Sequence, residues 1–255
     1  VEPYMPSIIL AGGLISKLGS ADQKNSIIPE IISGDRRYVF AYAEPQSRFD
    51  LFDVKCSATL DGDNYIINGF KSVVFGAGMA THLIISARTD GDQRSKSGIT
   101  LFLVDIKSDG ITLQNYPTID EYRASEVVIE NLTVSKENIL GELGNSYEAI
   151  EEQVDLSTIA ICSEAVGILQ VLKDSTNDYC KNRKQFGQSI SANQAIQHRL
   201  VDMMIEYEQA KSILYMAITA DLSNSDERRK ATSAAKARIG KAIKFVGENA
   251  IQLHG

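Results

Sequence analysis

Tryptophan is absent from this 255-residue chain, and proline (five), cysteine (three) and histidine (three) are scarce. Each shortage removes a class of explanation. Cys56, Cys162 and Cys180 are odd in number and widely spaced, so neither a disulfide framework nor a zinc-finger pattern is available. A reducing compartment is the expected setting. His82, His198 and His254 share no metal-ligand spacing, so packed or exposed imidazoles are expected and no metal is assigned. Apolar runs fall short of the roughly 18 residues of a membrane span, and no membrane partner is expected. There is no signal-peptide pattern. The sequence starts at Val1 without a methionine, which suggests a fragment or trimmed chain and makes missing targeting information weak evidence. Excess positive charge is missing too: a formal net charge of -7 argues against a general nucleic-acid surface. Glycine gives no dinucleotide fingerprint, because GAGMAT has Gly76 and Gly78 but no third glycine and follows no βαβ pattern. With no Walker-type loop either, a Rossmann enzyme is not expected.

What is present is an ordinary globular composition, 44% hydrophobic and 23% charged, in a chain long enough for two domains. SIILAGGLISKLG reads as a helix stopping at Gly19, a usual post-helix residue. Ser20 and Gln23 suggest a capping box for the next helix, which Pro29 is expected to interrupt or restart and Gly34 to end. From about Arg37 the period shortens to two. YVFAYA, SATL, YIING, LIISA, ITLFLV and EVVIE read as short strands, with a turn at Asp61-Gly62-Asp63-Asn64, giving an antiparallel sandwich or barrel.

After Gly144 the period is helical. Ile150, Val154, Ile161, Ala165, Ile168, Leu172 and Tyr179 form one stripe, with Ser157 filling its gap. A second runs through Ile196, Leu200, Met203, Tyr207, Ala210, Leu214 and Ala217, and a third through Ala235, Ile239, Ala242, Val246, Ala250 and Leu253. Asn224, Ser225 and Asp226 would turn and cap between the last two. Three long helices in an antiparallel bundle are expected. The seven basic residues between Arg228 and Lys244 read as a solvated helix face. Cys56 and Cys162, within apolar patterns, read as packing residues. The expected organisation is therefore a helical N-terminal segment over residues 1–37, a central antiparallel β-domain over 38–145 and a helical bundle over 146–255, an α+β multidomain chain.

RKQFGQSISANQAIQHRL, residues 183–200, joins the first two bundle helices. A connection needs only the glycine. The plain reading of Lys181, Arg183 and Lys184 is compensation of a helix dipole. The alternative uses the arginine fork to bind a phosphate through two hydrogen bonds, with Phe186 over a flat ring and Gly187 allowing close backbone approach.

The order Arg183, Phe186, Gly187, Gln194, then Gln252 and Gly255, together with AEPQSRFD, DGDNYIINGFKSVVF, LIISART and GITLFLV, resembles the acyl-CoA dehydrogenases. The resemblance covers nearly the whole chain. AEPQSRFD with RKQFG is most similar to the small subunits of pimeloyl-CoA dehydrogenases, a heteromeric branch acting on dicarboxylyl-CoA esters. It implies a truncated form of that family's fold, FAD as cofactor and an acyl-CoA substrate. An electron-transfer flavoprotein would be the electron acceptor. A homo-oligomer or a hetero-oligomer with a related large subunit is implied, in a bacterial cytoplasm or alternatively a mitochondrial matrix. By resemblance FAD lies between β-domain and bundle, with its ADP part reaching a neighbouring subunit. Arg183 would pair with the pyrophosphate, Gln185, Phe186 and Gln194 would line the adenosine side, and Gln252 and Gly255 would approach ADP.

On the flavin side the resemblance assigns Tyr42 and Ala43 to backbone contacts with the ring, although most relatives have threonine at Ala43. Val73 and Phe75 stand where the family places a tryptophan and a threonine against the ring. Phe75 has two readings, flavin contact or β-domain core. Arg48 and Phe49 depart from the common E-P-x-x-G-S-D pattern. Arg48 would either be a solvated arginine or neutralise the distal carboxylate of a dicarboxylyl-CoA. The usual glutamate base lies beyond Gly255, and the alternative base position falls on Ser157, with Thr158 where arginine is common. Asp155 and Glu164 share that helix without a reason to promote either, so no catalytic residue is assigned. Three functional readings follow: an FAD-dependent dehydrogenase, a degenerate subunit completing a partner's FAD site, and a flavin oxidase or monooxygenase on the same fold.

Overall fold

A computed structural model describes residues 4–220 and 224–255. The chain forms two compact units, Val1–Val154 and Asp155–Gly255.

The first unit starts with a π-helical stretch, Tyr4–Gly12, continuing into α1 (Gly13–Leu18) and then α2 (Ala21–Ser33). Gly19 ends α1, but in extended rather than left-handed conformation, because Ser20 is already the cap of α2. The capping box is reciprocal: Gln23 N donates to Ser20 Oγ at 3.1 Å and Ser20 N to Gln23 Oε1 at 3.0 Å. Pro29 does not interrupt α2. Its missing N–H costs one bond, while buried Ile27 and Ile31 on either side anchor the helix to the core. Gly34 ends it at φ 83°. These helices have no core of their own: Ala11, Leu14, Ile15, Ile27 and Ile31 belong to the same buried cluster as the strands that follow.

The strands are β1 (Tyr38–Ala41), β2 (Ser57–Asp61), β3 (Asn64–Phe75), β4 (His82–Arg88), β5 (Ile99–Asp105), β6 (Ile111–Pro117), β7 (Arg123–Ser135) and β8 (Ile139–Leu140). They make one sheet, ordered β6-β7-β3-β2-β4-β5-β8, with β1 also on β4. The pairing is not antiparallel throughout, as β1 runs parallel to β4. β1 enters from α2 rather than from a hairpin, so nothing forces the reversed direction. β6 is absent from the sequence expectation. It is an edge strand with a polar centre, Gln114-Asn115, and a terminal proline, features that suit an edge and blur the strand pattern. The β2–β3 turn is the expected one, with Asp61 opposite Asn64 and Gly62 at φ 59°.

The helices of the second unit are the continuation of α3 (Tyr147–Asn182), then α4 (Gln194–Thr219) and α5 (Ser225–His254), with a small hairpin of β9 (Lys184–Gln185) and β10 (Gln188–Ser189) after α3. The stripes expected on α4 and α5 are the ones that pack: Met203, Tyr207, Ala210, Leu214 and Ala217 meet Ala235, Ile239, Ala242, Val246, Ala250 and Leu253. On α3 the expectation holds in part: Ile150 is buried, and Val154, Ala165, Leu172 and Tyr179 pack against a core. Ile159, Cys162, Val166, Leu169 and Cys180 are buried, whereas Ile161 and Ile168 are exposed. Apolar residues occupy both rows, so the period alone does not choose between them. Asn224 caps α5 by accepting from Asp226 N and Glu227 N. The basic face is only partly solvated, because Arg228 is buried and donates to Asp155 at 2.8 Å.

Against the expectation of no spanning run, α3 is long and apolar enough by length and composition to cross a membrane. Its Ile159, Cys162, Val166 and Leu169 row packs into the bundle core and Asp155 is engaged by Arg228, while Ile161, Ile168 and Val171 are exposed.

Candidate functional site

At one end of the helical unit the ends of three helices meet. Tyr179, in the last turn of α3, stacks on His254 with ring centroids 4.4 Å apart and donates its hydroxyl to the His254 carbonyl at 3.2 Å. Arg199, early in α4, donates to Asn249 Oδ1 of α5 at 2.8 Å. Arg183, Gln194, Gln252 and Gly255 thus lie on segments tied to the same end, and all four are exposed. Arg183 has no ion-pair partner among the described residues. Ser189 Oγ donates into the carbonyls of Cys180 and Lys181 at 2.8 and 2.9 Å, which closes α3 and leaves the nearby cations facing outward.

The hairpin itself accounts for the RKQFG stretch. Gln185 pairs with Gln188, so Phe186 and Gly187 are the two turn residues, at φ 51° and 81°. Positive φ at both positions is the pattern of a type I′ turn, which suits Asn-Gly and strains a phenylalanine. Phe186 is fully exposed. A fully exposed aromatic held on a strained backbone is costly unless something covers it.

In the β unit, Tyr42 and Ala43 directly follow β1, and Val73 and Phe75 end β3. Burial pushes the Tyr42 phenol above its ordinary value, so it stays a neutral donor. Ser72 N donates to Ala43 O at 2.9 Å, joining the two segments. The β3–β7 register shifts between Lys71 and Val74, and Val73 sits at φ 52°, unusual for a β-branched residue. This bulge decides which way the side chains point. Strict alternation would put Val73 and Phe75 on the same buried side as Lys71. Instead Val74 is buried, and Val73 and Phe75 are 45% and 49% exposed. The core reading of Phe75 is therefore wrong: the bulge turns it outward.

Arg48 and Phe49 lie on a turn after Glu44, both exposed, with Arg48 at φ 49°. Ser157 is buried on α3 and Glu164 is exposed. No group of three or more His, Cys, Asp or Glu with metal-holding geometry occurs among the described residues. Burial pushes the Cys56 thiol up to about 11, consistent with a packing residue.

Sequence reasoning missed a buried ion pair. Lys71 and Glu44 are 0% and 2% exposed at their side chains, with Nζ to Oε1 at 2.7 Å. Lys71 also donates to Ser86 Oγ at 3.0 Å. Glu44 accepts from Lys55 N at 2.8 Å, Cys56 N at 3.2 Å and Gln46 Nε2 at 2.7 Å. Burial alone would raise the Glu44 carboxyl, but the Lys71 charge and these donors together hold it below its ordinary value. Arg88 is a second hidden hub, donating within 3.2 Å to the carbonyls of Phe52, Val54, Gln93, Ser95 and Ser97. Charged residues inside AEP, NGFK and SAR were the available signal, since a charge within an apolar strand needs a partner.

Comparison with known proteins fits this geometry. Residues 39–132 match the acyl-CoA dehydrogenase middle domain and residues 147–255 the acyl-CoA dehydrogenase C-terminal domain. The caffeyl-CoA reductase-Etf complex subunit CarC of Acetobacterium woodii is 30% identical over 96% of this chain and 65% of its own length. The mitochondrial short-chain specific acyl-CoA dehydrogenase of Mus musculus is 32% identical over 95% of this chain and 59% of its own. The prolyl acyl carrier protein oxidase AnaB superposes with a TM-score of 0.91 at 28% identity, over 98% of this chain and 67% of AnaB. The chain thus spans 59–67% of the length of these relatives. Two successive domain models in family order, on a β unit followed by a helical unit, make this chain a member of the acyl-CoA dehydrogenase family.

Proposed function

We propose that the chain binds FAD and takes part in α,β-dehydrogenation of an acyl-CoA thioester, as one subunit of an oligomer that passes electrons to an electron-transfer flavoprotein. The observation that carries this reading is the bundle end: an outward-facing Arg183 beside an uncovered Phe186 on a strained turn. A dinucleotide suits both. Its pyrophosphate matches the guanidinium fork, and its adenine would cover the exposed ring. Gln185, Gln194, Gln252 and Gly255 would supply further polar and backbone contacts at that end. In the β unit Val73 and Phe75 offer an apolar rim, and Tyr42 and Ala43 offer backbone polar groups, so a flavin ring fits those residues as well. When bound, FAD would supply the hydride acceptor, and these residues would position it.

That A. woodii CarC is named as part of a reductase–Etf complex supports the flavoprotein partner. The finer substrate reading, a dicarboxylyl-CoA handled by a small-subunit homologue, rests on Arg48. It is exposed and has no ion-pair partner among the described residues, so its charge is available to a distal carboxylate.

Two observations favour a second reading, a subunit that completes a partner's FAD site. The position that could offer an alternative base carries the buried hydroxyl of Ser157, and Ala43 lacks the hydroxyl common at the ring edge. The deciding experiment is the visible absorption of the purified protein before and after anaerobic addition of dicarboxylyl- and monocarboxylyl-CoA esters. Flavin absorption that bleaches supports dehydrogenation by this chain. A yellow protein that never bleaches supports the partner-dependent subunit. A colourless one that also fails to take up added FAD removes the flavin reading. Faster bleaching by the dicarboxylyl ester, lost in Arg48→Ala, supports the substrate reading.

A further inference from the structure

We infer that Glu126 is a positioning residue for the rim formed by Val73 and Phe75: it holds the amide that the β3 bulge turns out of its ladder. This rests on the flavin reading above, in which that rim meets the ring. The register between β3 and β7 pairs Lys71 with Val127 and then Val74 with Ser125, so Ser72 and Val73 have no partner residue on β7. Their two amides are taken from outside the ladder. Ser72 N donates to Ala43 O at 2.9 Å, and Val73 N donates to Glu126 Oε1 at 3.4 Å.

The direction of the second bond ties it to the bulge. On β7, Ser125 and Val127 are wholly buried, so Glu126, between them, stands on the opposite, outer face. A regular strand keeps each amide close to the sheet plane, aimed at a neighbouring backbone. An amide reaches a carboxylate standing on the face only after rotating out of that plane. The bond therefore belongs to the bulged arrangement, in which Val73 adopts φ 52°, and not to a regular one. Phe75 lies opposite Ala124, two residues before Glu126, and so shares the carboxylate's face.

Glu126 is aimed in turn. Tyr116, on the edge strand β6, donates its hydroxyl to the same Oε1 at 2.8 Å. Burial, and then the carboxylate beside it, pushes the phenol above its ordinary value, so the hydroxyl keeps its proton and remains a donor. A valine at positive φ is strained and persists only where its surroundings hold it. Here the holders are Ala43 after β1, Glu126 on β7 and, through Glu126, Tyr116 on β6.

A purely structural bond would change stability and leave a bound ring's environment alone. A positioning bond also changes how the rim meets the ring. The test compares purified wild type, Glu126→Ala, Glu126→Gln and Tyr116→Phe. Hydrogen exchange of the residue 73 amide is followed in the apo protein by fragmentation mass spectrometry. FAD uptake is followed by titration, with the visible spectrum recorded. Glu126→Ala should exchange about fivefold faster or more at residue 73, and should bind FAD several-fold more weakly with a displaced visible band. Glu126→Gln keeps an acceptor oxygen and should stay within about twofold of wild type in both. Tyr116→Phe leaves the carboxylate without its aim and should fall between.

Unchanged exchange at residue 73 in folded Glu126→Ala would overturn the inference. So would faster exchange with wild-type FAD affinity and spectrum, which would make the bond structural alone. A Glu126→Gln protein as altered as Glu126→Ala would also overturn it, because the acceptor oxygen would then not be what matters. Should Glu126→Ala fail to fold, Tyr116→Phe decides by the same two readings: a change in both supports the inference, and no change in either one overturns it. A wild-type protein that takes up no FAD would sink the flavin reading, and the positioning role with it; exchange, read without FAD, tells that failure from an unheld Val73.

Discussion

In the β unit the residues beside the proposed ring site are held by charges that never see water; in the helical unit the proposed dinucleotide residues stand on an exposed hairpin and on helix ends. Lys71, Glu44 and Arg88 are buried and satisfied by side chains and carbonyls of their own unit. Arg183, Gln185, Phe186 and Gln252 are exposed and only their backbone is fixed. Exposed apolar side chains occur in both units: Val171, Val201, Met204, Ile205 and Tyr215 on α3 and α4, and Ile32, Phe49 and Ile119 in the β unit. One unit satisfies its buried charges internally, and the other presents a cation and an aromatic ring to solvent. Substitutions in the first should therefore be felt in stability, and in the second in binding.

The largest effect belongs to the buried pair. Lys71→Met leaves the Glu44 carboxylate buried without its counter-charge, and breaking such a pair costs about 3–5 kcal/mol. Denaturant unfolding followed by circular dichroism should register that loss, and a change below about 1 kcal/mol would show the pair to be marginal. The same pair gives a pH signature. Glu44 is held below the ordinary 4.5 of its carboxyl in the folded state. Its contribution is then fully present above about pH 4.5 and is lost as the pH falls from there through the folded-state value. Unfolding free energy should fall more steeply below pH 4.5 in wild type than in Glu44→Gln. Parallel acid limbs would mean that other carboxyls carry the dependence.

These residues also show what was legible beforehand. The α4 and α5 stripes could be read because apolar residues recur there in unbroken steps of three and four, and the Ser20 capping box because its chemistry is local. The α3 face could not, since Ile161 and Ile168 compete with Cys162 and Val166 for burial, and only tertiary packing decides. β6 was hidden by the polar centre and proline that an edge strand tolerates. In the candidate site, the hairpin residues were visible as a motif, but the left-handed turn under Phe186 was not. The Glu44–Lys71 link joins residues 27 positions apart, and no local pattern announces a pairing of that span.

Arg183 should behave in the opposite way to Lys71. Its side chain is exposed, so Arg183→Ala is expected to change apo stability by less than about 0.5 kcal/mol. Charge-assisted hydrogen bonds to a pyrophosphate contribute about 1.5–3 kcal/mol, so FAD affinity should fall about 10- to 100-fold. Arg183→Lys restores the charge without the fork and should recover only part. An Arg183→Ala protein that retains FAD with wild-type affinity would leave the cations at the end of α3 with the dipole role alone.

The smallest expected effect sharpens the contrast most, because its two parts have opposite signs. Phe186 occupies a turn position whose φ of 51° favours asparagine, followed by a glycine at 81°. Phe186→Asn keeps the turn and removes both the backbone strain and an uncovered aromatic ring. Apo stability should rise by about 0.5–1 kcal/mol, seen as a modest increase in melting temperature. FAD affinity should fall several-fold, since stacking of a ring on an aromatic side chain contributes about 1 kcal/mol. A variant that is both more stable and worse at holding FAD would show that the strain at the hairpin tip is kept for binding. A variant that loses stability would mean that the Phe186 ring already has cover in the apo protein, and the division between a self-sufficient β unit and an outward-facing helical unit would have to be redrawn at that turn.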